Sequence, residues 1–386
     1  MSSTLDFDRL LGALEAELPA AIELRRQLHR CPELGYEENA TRAALVAALE
    51  GAPREDLLGT GLLVRAGSDA GVPVMVRAEL DALPIEEATG AAFAADNGAM
   101  HACGHDVHMA ALVALTRAVA GLGQAPPMLA FFQPSEERPP SGARAFLSEP
   151  LAGQPVRAVV AAHVHPDIPF GAVAVPSGPI NAACDDLRVE VNGRATHGAY
   201  PHRGRDPVLA LSAIIVALQQ IVSRRLDPLH PAVVSVTRIE AGEAANAIPD
   251  IATAWGTIRS LDRNDRERSR ELVRQVTADL ARGYGCEATV EITEGEPALV
   301  NDDDLAASAA SFLARAGARP SAGFRSCGSD DISFLGELAP TLMAFVGVEG
   351  AQELADVPLH DPRFLPGDAA VGAVARCLAC IYAAVG

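Results

Sequence analysis

The chain has 386 residues, with 31 basic and 50 acidic side chains, which gives a formal net charge of −19. Every basic residue is arginine, and chemistry that needs a lysine amine, such as a pyridoxal Schiff base or a P-loop phosphate contact, is therefore excluded. The acidic balance and the aromatic content of 4% also argue against a nucleic-acid binder, which needs a basic face.

The length predicts two domains with enough chain for a large hydrophobic core. The first ten residues contain acids and lack the apolar segment of a signal peptide, and no uninterrupted apolar stretch reaches membrane-spanning length. The seven cysteines are odd in number and scattered, which predicts reduced thiols. We therefore expect a cytoplasmic protein that binds neither membranes nor nucleic acids.

The first half of the chain has the pattern of an α/β fold. Two helical patterns in the first fifty residues are separated by Pro32 and Gly35. Short apolar strands are then predicted at Val74–Val76, Met128–Phe132 and Ala158–Ala162, with a helix at Val107–Ala120. Such alternation indicates a mostly parallel sheet, whose carboxyl edge binds ligands. Acids or histidines follow each of these strands: Glu79, Asp81, Glu136, Glu137, His163 and His165.

The second half of the chain changes to an α+β pattern and then returns to the α/β pattern of the first half. The predicted elements are strand Leu187–Val191, helix Pro207–Arg225, strands Ala232–Glu240 and Ile251–Leu261, helix Asp265–Arg282 and strand Glu287–Thr293. This β-α-β-β-α-β order is ferredoxin-like. A further strand at Thr341–Val346 resumes the first pattern. The sequence thus predicts a domain at 184–296 inserted into one formed by 1–183 and 297–386.

The second helix of the predicted insertion has an apolar stripe. Leu272, Val276 and Leu280 lie four residues apart and would face a sheet. The remaining surface is rich in arginine and glutamate, including Arg266 and Arg270, and we expect it to be solvated.

The densest group of reactive residues lies at 101–108. His101, Cys103, His105 and His108 fall within eight residues, and Asp106 is the expected N-cap of the helix that follows. Cysteine and histidine at such spacing are typical zinc ligands, whereas a single buried histidine or cysteine is usually a packing residue. The spacing therefore predicts a metal site.

Four other residues extend this hypothesis. The adjacent Glu136 and Glu137 would ordinarily be solvated loop acids, but at the same sheet edge one could bind metal while the other moves a proton. His163 ends the next predicted strand, and His360 follows the last one. Each histidine alone is weak evidence for a ligand, and their common position at strand ends strengthens it.

Eight motifs in chain order carry a resemblance to a known family. They are RRQLHRCPELGYEE, RAELDALP, HACGHDVH, QPSEE, HVHP, GRATHGAYPH, NAIPD with GTIR, and SDDISF before PLH. The chain resembles the dinuclear zinc amidohydrolases related to glutamate carboxypeptidase, in the branch of aminoacylase, hippurate hydrolase and indole-acetyl-amino-acid hydrolase. The resemblance covers almost the whole chain.

The resemblance implies a role for each matching residue. The implied metal ligands are Cys103, His105, Glu137, His163 and His360. Glu136 matches the general base, and Asp81 matches an acid that supports the ligands from behind. The implied cofactor is a pair of divalent ions, zinc first, with manganese, cobalt or nickel as alternatives.

The inserted domain also has implied roles. In the family it forms a homodimer and supplies a histidine to the partner's active site, and His197 is the matching residue. Asn246 and Arg259 match residues that hold the substrate carboxylate, although Arg259 alone would suggest only a surface arginine at a strand end. The expected substrate is a small N-acyl-amino acid.

The chain departs from the family pattern at three positions. Glu79 replaces an aspartate, Arg138 replaces the glycine after the glutamate pair, and Asp330-Asp331 alters an acidic motif. Four histidines have no implied role and are expected to be structural or supporting: His101, His108, His165 and His202.

The sequence alone leaves three alternative functions open. The chain could be a dipeptidase or carboxypeptidase on the same scaffold, because those substrates also place an amide beside a carboxylate. It could instead be a metal-free amidase with Cys103 as the nucleophile, although such an enzyme has no use for Glu137 or His360. It could also be a metal-loaded binding protein with a decayed site, which the retained glutamate pair argues against.

Overall fold

The computed structural model describes residues 5–321, 323–353 and 356–386, and the chain forms two compact units. The first unit comprises Met1–Gly178, Val300–Phe324 and Phe334–Gly386. The second comprises Pro179–Leu299 and Arg325–Ser333. The insertion expected at 184–296 lies within the second unit, whose main segment is longer at both ends. The segment Arg325–Ser333 was expected in the first domain.

The helices occur where apolar periodicity and capping residues coincide. The α-helices are α1 Phe7–Arg30, α2 Asn39–Ala48, α3 His105–Gly121, α4 Gly142–Phe146, α5 Pro207–Gln220, α6 Arg263–Gly283, α7 Asp303–Arg315 and α8 Ala369–Val385. Short 3-10 helices span Pro150–Gly153, Pro201–Arg203 and Asp331–Glu337, and a π-helical turn, Ile221–Arg225, extends α5. Asp side chains cap several of these helices; Asp206, for example, accepts hydrogen bonds from Val208 and Leu209 at the start of α5.

The first unit is built on an eight-stranded sheet. Its strands are β1 Arg54–Leu57, β2 Gly61–Ala66, β3 Val74–Glu79, β4 Met128–Gln133, β5 Val159–Pro169, β6 Ala172–Ala174, β15 Arg319–Pro320 and β16 Thr341–Glu349. The order is β1-β2-β4-β3-β5-β16-β6-β15, and the central four strands, β4, β3, β5 and β16, are parallel. Helices α1, α3, α7 and α8 share its main hydrophobic core. The predicted α/β class with a mostly parallel sheet is confirmed.

The second unit has the expected ferredoxin-like topology. Its sheet contains β8 Ala183–Asn192, β10 Ala232–Ala241, β12 Ile251–Ser260 and β13 Glu287–Glu294, and β9 Thr196–His197 pairs separately with β11 Ala247–Ile248. The order β10-β12-β8-β13 is antiparallel throughout, and α5 and α6 share a core with the sheet. The remaining strands, β7 Gly178–Asn181 and β14 Leu299–Asn301, lie where the chain passes from one unit to the other.

Helix α5 is the most apolar helix of the second unit. Among the described residues, the stretch Pro207–Arg225 alone is long and apolar enough to span a membrane, by length and composition only, with a mean hydropathy of 1.6. Its buried residues Leu211, Ile214 and Leu218 belong to the core that α5 shares with the sheet.

The polar surface of α6 is not fully solvated, and the expectation for two of its arginines was wrong. Arg266 and Arg270 are buried at 7% and 8% exposure, and both bind Asp185 at the start of β8, which is 1% exposed. The two Arg270 contacts to this carboxylate are both 2.7 Å. Burial alone would raise the pKa of Asp185, but hydrogen bonds from Arg270 and Arg266 lower it. The two arginines are buried on this face of α6 because they share a buried partner, Asp185, on β8.

Replacing Asp185 with alanine should strongly destabilise the second unit. Two buried guanidinium groups would lose their buried partner and keep only the exposed carboxylates of Glu267 and Glu294, and loss of a buried partner typically costs about 3–5 kcal/mol. The single tryptophan of the chain, Trp255, lies on β12, so its fluorescence during urea unfolding reports on this unit. Glu271→Gln is the control, because its ion pair with Arg268 on the same helix is exposed and should contribute less than about 1 kcal/mol. Equal stability of the two variants would contradict a stabilising role for the buried Asp185 ion pairs.

Candidate metal centre

The amino end of α3 brings Cys103 and His105 to the carboxyl edge of the parallel sheet. His105 is the first residue of the helix, and its N-cap is Gly104, with φ at +83°. A Cβ at Gly104 would lie 2.6 Å from Cγ2 of Val164, so both the backbone angle and the contact require glycine. The expectation that Asp106 is the N-cap was wrong. Asp106 is the second residue of the helix, and its carboxylate accepts a hydrogen bond from Arg25 at 2.6 Å.

The five residues expected to bind metal lie together. The Sγ atom of Cys103 is 3.5 Å from Nε2 of His163. Oε1 of Glu137 is 3.9 Å from Nε2 of His105 and 3.5 Å from Nε2 of His360. Two triads, one of Cys103, His105 and His163 and one of Cys103, Glu137 and His360, each place their donor atoms within 4.8 Å of one another. The two triads share the thiol, so all five residues belong to one cluster of donors.

Backbone carbonyl groups fix which nitrogen of two histidines faces this cluster. Nδ1 of His105 lies 2.9 Å from the carbonyl oxygen of Asp81, and Nδ1 of His163 lies 2.6 Å from that of Val164. A carbonyl oxygen only accepts, so each Nδ1 carries the proton and donates it. Each Nε2 lone pair is therefore directed away from the backbone and into the cluster, as metal coordination requires.

The loop after β4 holds the glutamate pair. Asp81 Oδ2 accepts a hydrogen bond from the backbone N–H of Glu137 at 2.9 Å. Just before the pair, the N–H of Ser135, a residue with φ at +49°, donates to the carboxylate of Glu38 at 3.0 Å. Glu136 is half-buried, and one of its carboxylate oxygens lies within 4.8 Å of donor atoms of His105 and Glu137. The general-base candidate thus lies beside the ligand candidates.

The electrostatics of the cluster suit a bound cation. Burial would lower the pKa of His105, but the nearby carboxylates of Asp81, Glu79 and Glu137 raise it to about 10. Oε1 of Glu137 and Oδ1 of Asp81 are buried and accept no hydrogen bond from the part of the chain that the structure describes. The cluster therefore stabilises positive charge and has oxygen, nitrogen and sulfur donors available, which fits a divalent transition metal.

The same environment disfavours Cys103 as a metal-free nucleophile. Burial, reinforced by the charges of Glu137 and Glu136, raises the pKa of the Cys103 thiol well above its usual value. A reactive cysteine needs the opposite, a positive and partly exposed setting that favours the thiolate. The thiol-amidase alternative therefore conflicts with the geometry.

The histidines without an assigned role differ in their surroundings. His108 uses both ring nitrogens, one with Glu79 and one with the N–H of Val164. His165 packs on the ring of Phe324, with ring centroids 4.2 Å apart. His101 is 1% exposed, whereas His202 is exposed in a 3-10 helix.

The departures from the family pattern also have structural partners. Glu79 forms a buried ion pair with Arg77. Arg138 donates to the carbonyl of Gly35 and to Glu37, 3.1 Å away, and so ties the glutamate loop to the segment after α1. Asp330 and Asp331, in the second unit, are buried at 6% and 1% exposure.

Three expected substrate-contacting residues belong to the second unit. His197 and Asn246 are exposed and close together, because β9 pairs with β11 and the Gly198 N–H donates to the Asn246 carbonyl at 2.7 Å. Arg259 is half-buried on β12, and its Nη1 donates to the carbonyl of Cys327 at 3.1 Å.

A buried polar network behind α3 was not anticipated. His29 on α1 is 1% exposed, with Nδ1 2.9 Å from Asp106 and Nε2 3.2 Å from Glu87. Arg25 contacts the same Asp106 and donates to the carbonyl of Pro366. The only local signal was the presence of polar residues on the otherwise apolar face of α1. Glu38, whose carboxylate binds the N–H of Ser135, was also missed, because its partner lies 97 residues away in the sequence.

This fold and this cluster define a metal-dependent hydrolase with an inserted ferredoxin-like unit. Residues 75–383 match the family model described as Peptidase family M20/M25/M40. The chain is 34% identical to the N-acetyl-L-cysteine deacetylase of Bacillus subtilis, covering 94% of this chain and 86% of that protein. It is 34% identical to the N-acetyldiaminopimelate deacetylase of Halalkalibacterium halodurans, covering 91% and 95%.

A solved structure agrees with these sequence relatives. The YXEP protein of Bacillus subtilis, described as a dinuclear metal-binding peptidase from the M20 family, has a TM-score of 0.82 and 31% identity. The alignment covers 96% of this chain and 98% of that one. The chain belongs to peptidase family M20/M25/M40. The interpretation as a metal-dependent hydrolase of amide bonds is thereby confirmed.

The His29 network should make the stability of the protein depend on pH. Burial opposes the charge on His29, but Asp106 and Glu87 outweigh it and raise the pKa to about 8 from 6.5. The folded state therefore binds the proton more tightly, which contributes about 2 kcal/mol below pH 6.5. This contribution should disappear as the pH rises from 6.5 through 8.

The matching measurement is urea unfolding of the wild type and His29→Gln, followed by circular dichroism at pH 6 and pH 9. The stability difference between the two proteins should be larger at pH 6 by about 2 kcal/mol. A difference that does not change with pH would show that folding leaves the pKa of His29 unshifted, and a smaller difference at pH 6 than at pH 9 would show that His29 is neutral in the folded protein.

Proposed function

We propose that this protein hydrolyses the amide bond of small N-acyl-amino acids, releasing a carboxylic acid and an amino acid. The observation that carries the proposal is the position of Glu136 beside a cluster of five metal-type donors. The relatives named as N-acetyl-L-cysteine and N-acetyldiaminopimelate deacetylases support the same substrate class.

The proposed ligands of two divalent ions are Cys103, His105, Glu137, His163 and His360. When bound, such ions would polarise the acyl oxygen and make a water molecule more acidic. Glu136 accepts the proton of the attacking water and delivers it to the departing amine nitrogen. Asp81 holds the backbone of Glu137 with its carboxylate and the ring of His105 with its backbone carbonyl.

The donor set favours zinc, with manganese, cobalt or nickel as alternatives. Three imidazole nitrogens and a thiolate are borderline and soft ligands, which suit zinc and the later transition metals, whereas glutamate oxygen also suits manganese. A bound cation would favour the deprotonated form of Cys103, whose pKa is raised by burial.

The second unit is proposed to bind the substrate and to form a homodimer. The guanidinium of Arg259 and the amide of Asn246 suit the carboxylate of the amino-acid portion. Leu209 and Val216 on α5 are 55% and 74% exposed, and β10 is the edge strand of its sheet. A second copy of the chain would cover these apolar groups and the unpaired strand edge. The seven free cysteines agree with a cytoplasmic location.

Replacing Glu136 with glutamine should retain the metal ions and lower kcat by about 10²- to 10⁴-fold, because the amide cannot accept the proton. Elemental analysis gives the stoichiometry, and a panel of N-acyl-amino acids and dipeptides gives the rates. Chelation should abolish activity in the wild type, and zinc or manganese should restore it. Glu86→Gln, at an exposed glutamate in another adjacent pair, is the control.

Each result has a distinct meaning. Wild-type turnover in Glu136→Gln would remove this residue as the base. Faster cleavage of dipeptides than of N-acyl-amino acids would replace the deacylase assignment with a dipeptidase on the same scaffold.

His197 is proposed to stabilise the oxyanion in the partner's active site, so His197→Ala should lower kcat by about 10²- to 10³-fold. Mixing this variant with Glu136→Gln and reassembling the dimers tests the arrangement. Half of the dimers would be mixed, each with one complete site, and activity should recover to roughly a quarter of wild type. No recovery despite exchange of subunits would exclude a contribution across the dimer.

A further inference from the structure

His108 lies on α3, three residues after His105, and its ring is 1% exposed. Its Nε2 accepts a hydrogen bond from the backbone N–H of Val164 at 3.0 Å. A nitrogen that accepts carries no proton, so the proton of this ring lies on Nδ1. Nδ1 then donates to Oε2 of Glu79 at 2.9 Å. Both nitrogens are used, which leaves His108 without a lone pair for a metal ion.

Glu79 is held from its other side as well. Its second carboxylate oxygen pairs with Nη1 of Arg77, and Nε of Arg77 donates to the side chain of Gln133 at 3.0 Å. All three side chains are buried, at 2% exposure or less. Hydrogen bonds from Arg77 and His108 therefore fix the position of the Glu79 carboxylate in the interior of the first unit.

Val164 connects this chain of contacts to the metal centre. Its N–H is bound by His108, while its carbonyl accepts the Nδ1–H of His163 at 2.6 Å. The rings of His108 and His163 also contact directly, with centroids 4.5 Å apart at an angle of 62°. With its Nδ1 fixed in this way, His163 directs Nε2 towards Sγ of Cys103, 3.5 Å away.

We infer that Glu79 and His108 are positioning residues that hold the backbone at Val164 and thereby set the orientation of His163. The inference rests on the proposed function, in which His163 is a metal ligand. The length of the acid at position 79 is central, because the carboxylate must reach both Arg77 and His108. In this chain Arg77 and His108 are spaced to meet the carboxylate of the longer acid, so the aspartate of the family pattern, one methylene shorter, would lose one of the two contacts.

The competing interpretation is that Glu79 and His108 are themselves ligands. Donor atoms of Glu79, His105 and His108 do lie within 4.8 Å of one another. However, Nε2 of His108 accepts from Val164 and its Nδ1 is protonated, so this ring offers no free donor atom. The geometry therefore assigns these residues to positioning.

The test is Glu79→Asp, measured by zinc affinity in competition with a chromophoric chelator and by elemental analysis. Loss of a contact behind a ligand typically weakens metal binding about 10- to 100-fold. We expect one of the two ions to weaken by that factor and the other to remain close to its wild-type affinity. Glu79→Gln keeps the length and an oxygen that accepts from His108 but places its NH2 group against Nη1 of Arg77, and we expect its affinity to lie between those of Glu79→Asp and the wild type.

The matched control is Glu190→Asp on β8 of the second unit. Glu190 pairs with Arg188 two residues earlier on the same strand, as Glu79 pairs with Arg77, and the substitution shortens the acid equally. We expect wild-type zinc affinity for both ions in this variant. An equal loss in the two variants would mean that general destabilisation explains the effect, and would overturn the inference.

Two further results separate the inference from the proposed function. If His163→Ala loses one ion while Glu79→Asp keeps both at wild-type affinity, the positioning role is wrong and the ligand assignment stands. If His163→Ala keeps both ions, the ligand assignment itself is wrong.

The tautomer of His108 gives a test that needs no variant. Nitrogen chemical shifts of ¹⁵N-histidine in the zinc-loaded wild type should show a proton on Nδ1 and none on Nε2 for His108. The signal can be assigned by its absence from His108→Gln. A proton on Nε2 would be incompatible with the bond from Val164 and would overturn the inference.

Discussion

The candidate site depends on one constraint, namely that a histidine ligand must present one deprotonated ring nitrogen while another group accepts the proton on the second nitrogen. Backbone carbonyls meet this constraint twice, at Asp81 for His105 and at Val164 for His163. The Val164 carbonyl lies within β5, and the Asp81 carbonyl lies two residues after the end of β3, so both belong to neighbouring strands of the parallel sheet or to the chain just after them. The sheet therefore does more than bring the donors to one edge, because it also selects the nitrogen that each ring offers.

Charge is the second organising factor. The first unit buries several carboxylates near the site, and most have a named cationic or N–H partner, such as Arg77 for Glu79 and Arg25 for Asp106. Glu137 and Asp81 each retain one buried oxygen that accepts no hydrogen bond from the described residues. Unpaired buried charge is costly. A bound cation would offset this cost at the same place where the chemistry needs it.

The sequence predicted the elements of the ferredoxin-like unit well, because apolar periodicity is a local property, whereas β1, β2 and α7 of the first unit were not predicted. All six elements of the ferredoxin-like unit were found, and they differ from their predicted ends by a few residues. The errors concern partners distant in sequence. Arg266 and Arg270 were expected in solvent, but they bind Asp185, 81 and 85 residues away. Asp106 was expected to cap α3, but it binds Arg25, again 81 residues away. Periodicity contains no information about such pairs.

The loop after β4 shows how a departure from the family pattern can be accommodated. Gly35 lies so close to this loop that a Cβ there would be 2.4 Å from Oγ of Ser135. The side chain of Arg138, where the family has glycine, donates to the carbonyl of Gly35. Together with the bond from Ser135 to Glu38, this contact fixes the loop on both sides of the glutamate pair. The position of Glu136 therefore depends on a segment about one hundred residues earlier in the chain, which explains why the motif around the glutamates could not by itself define the site.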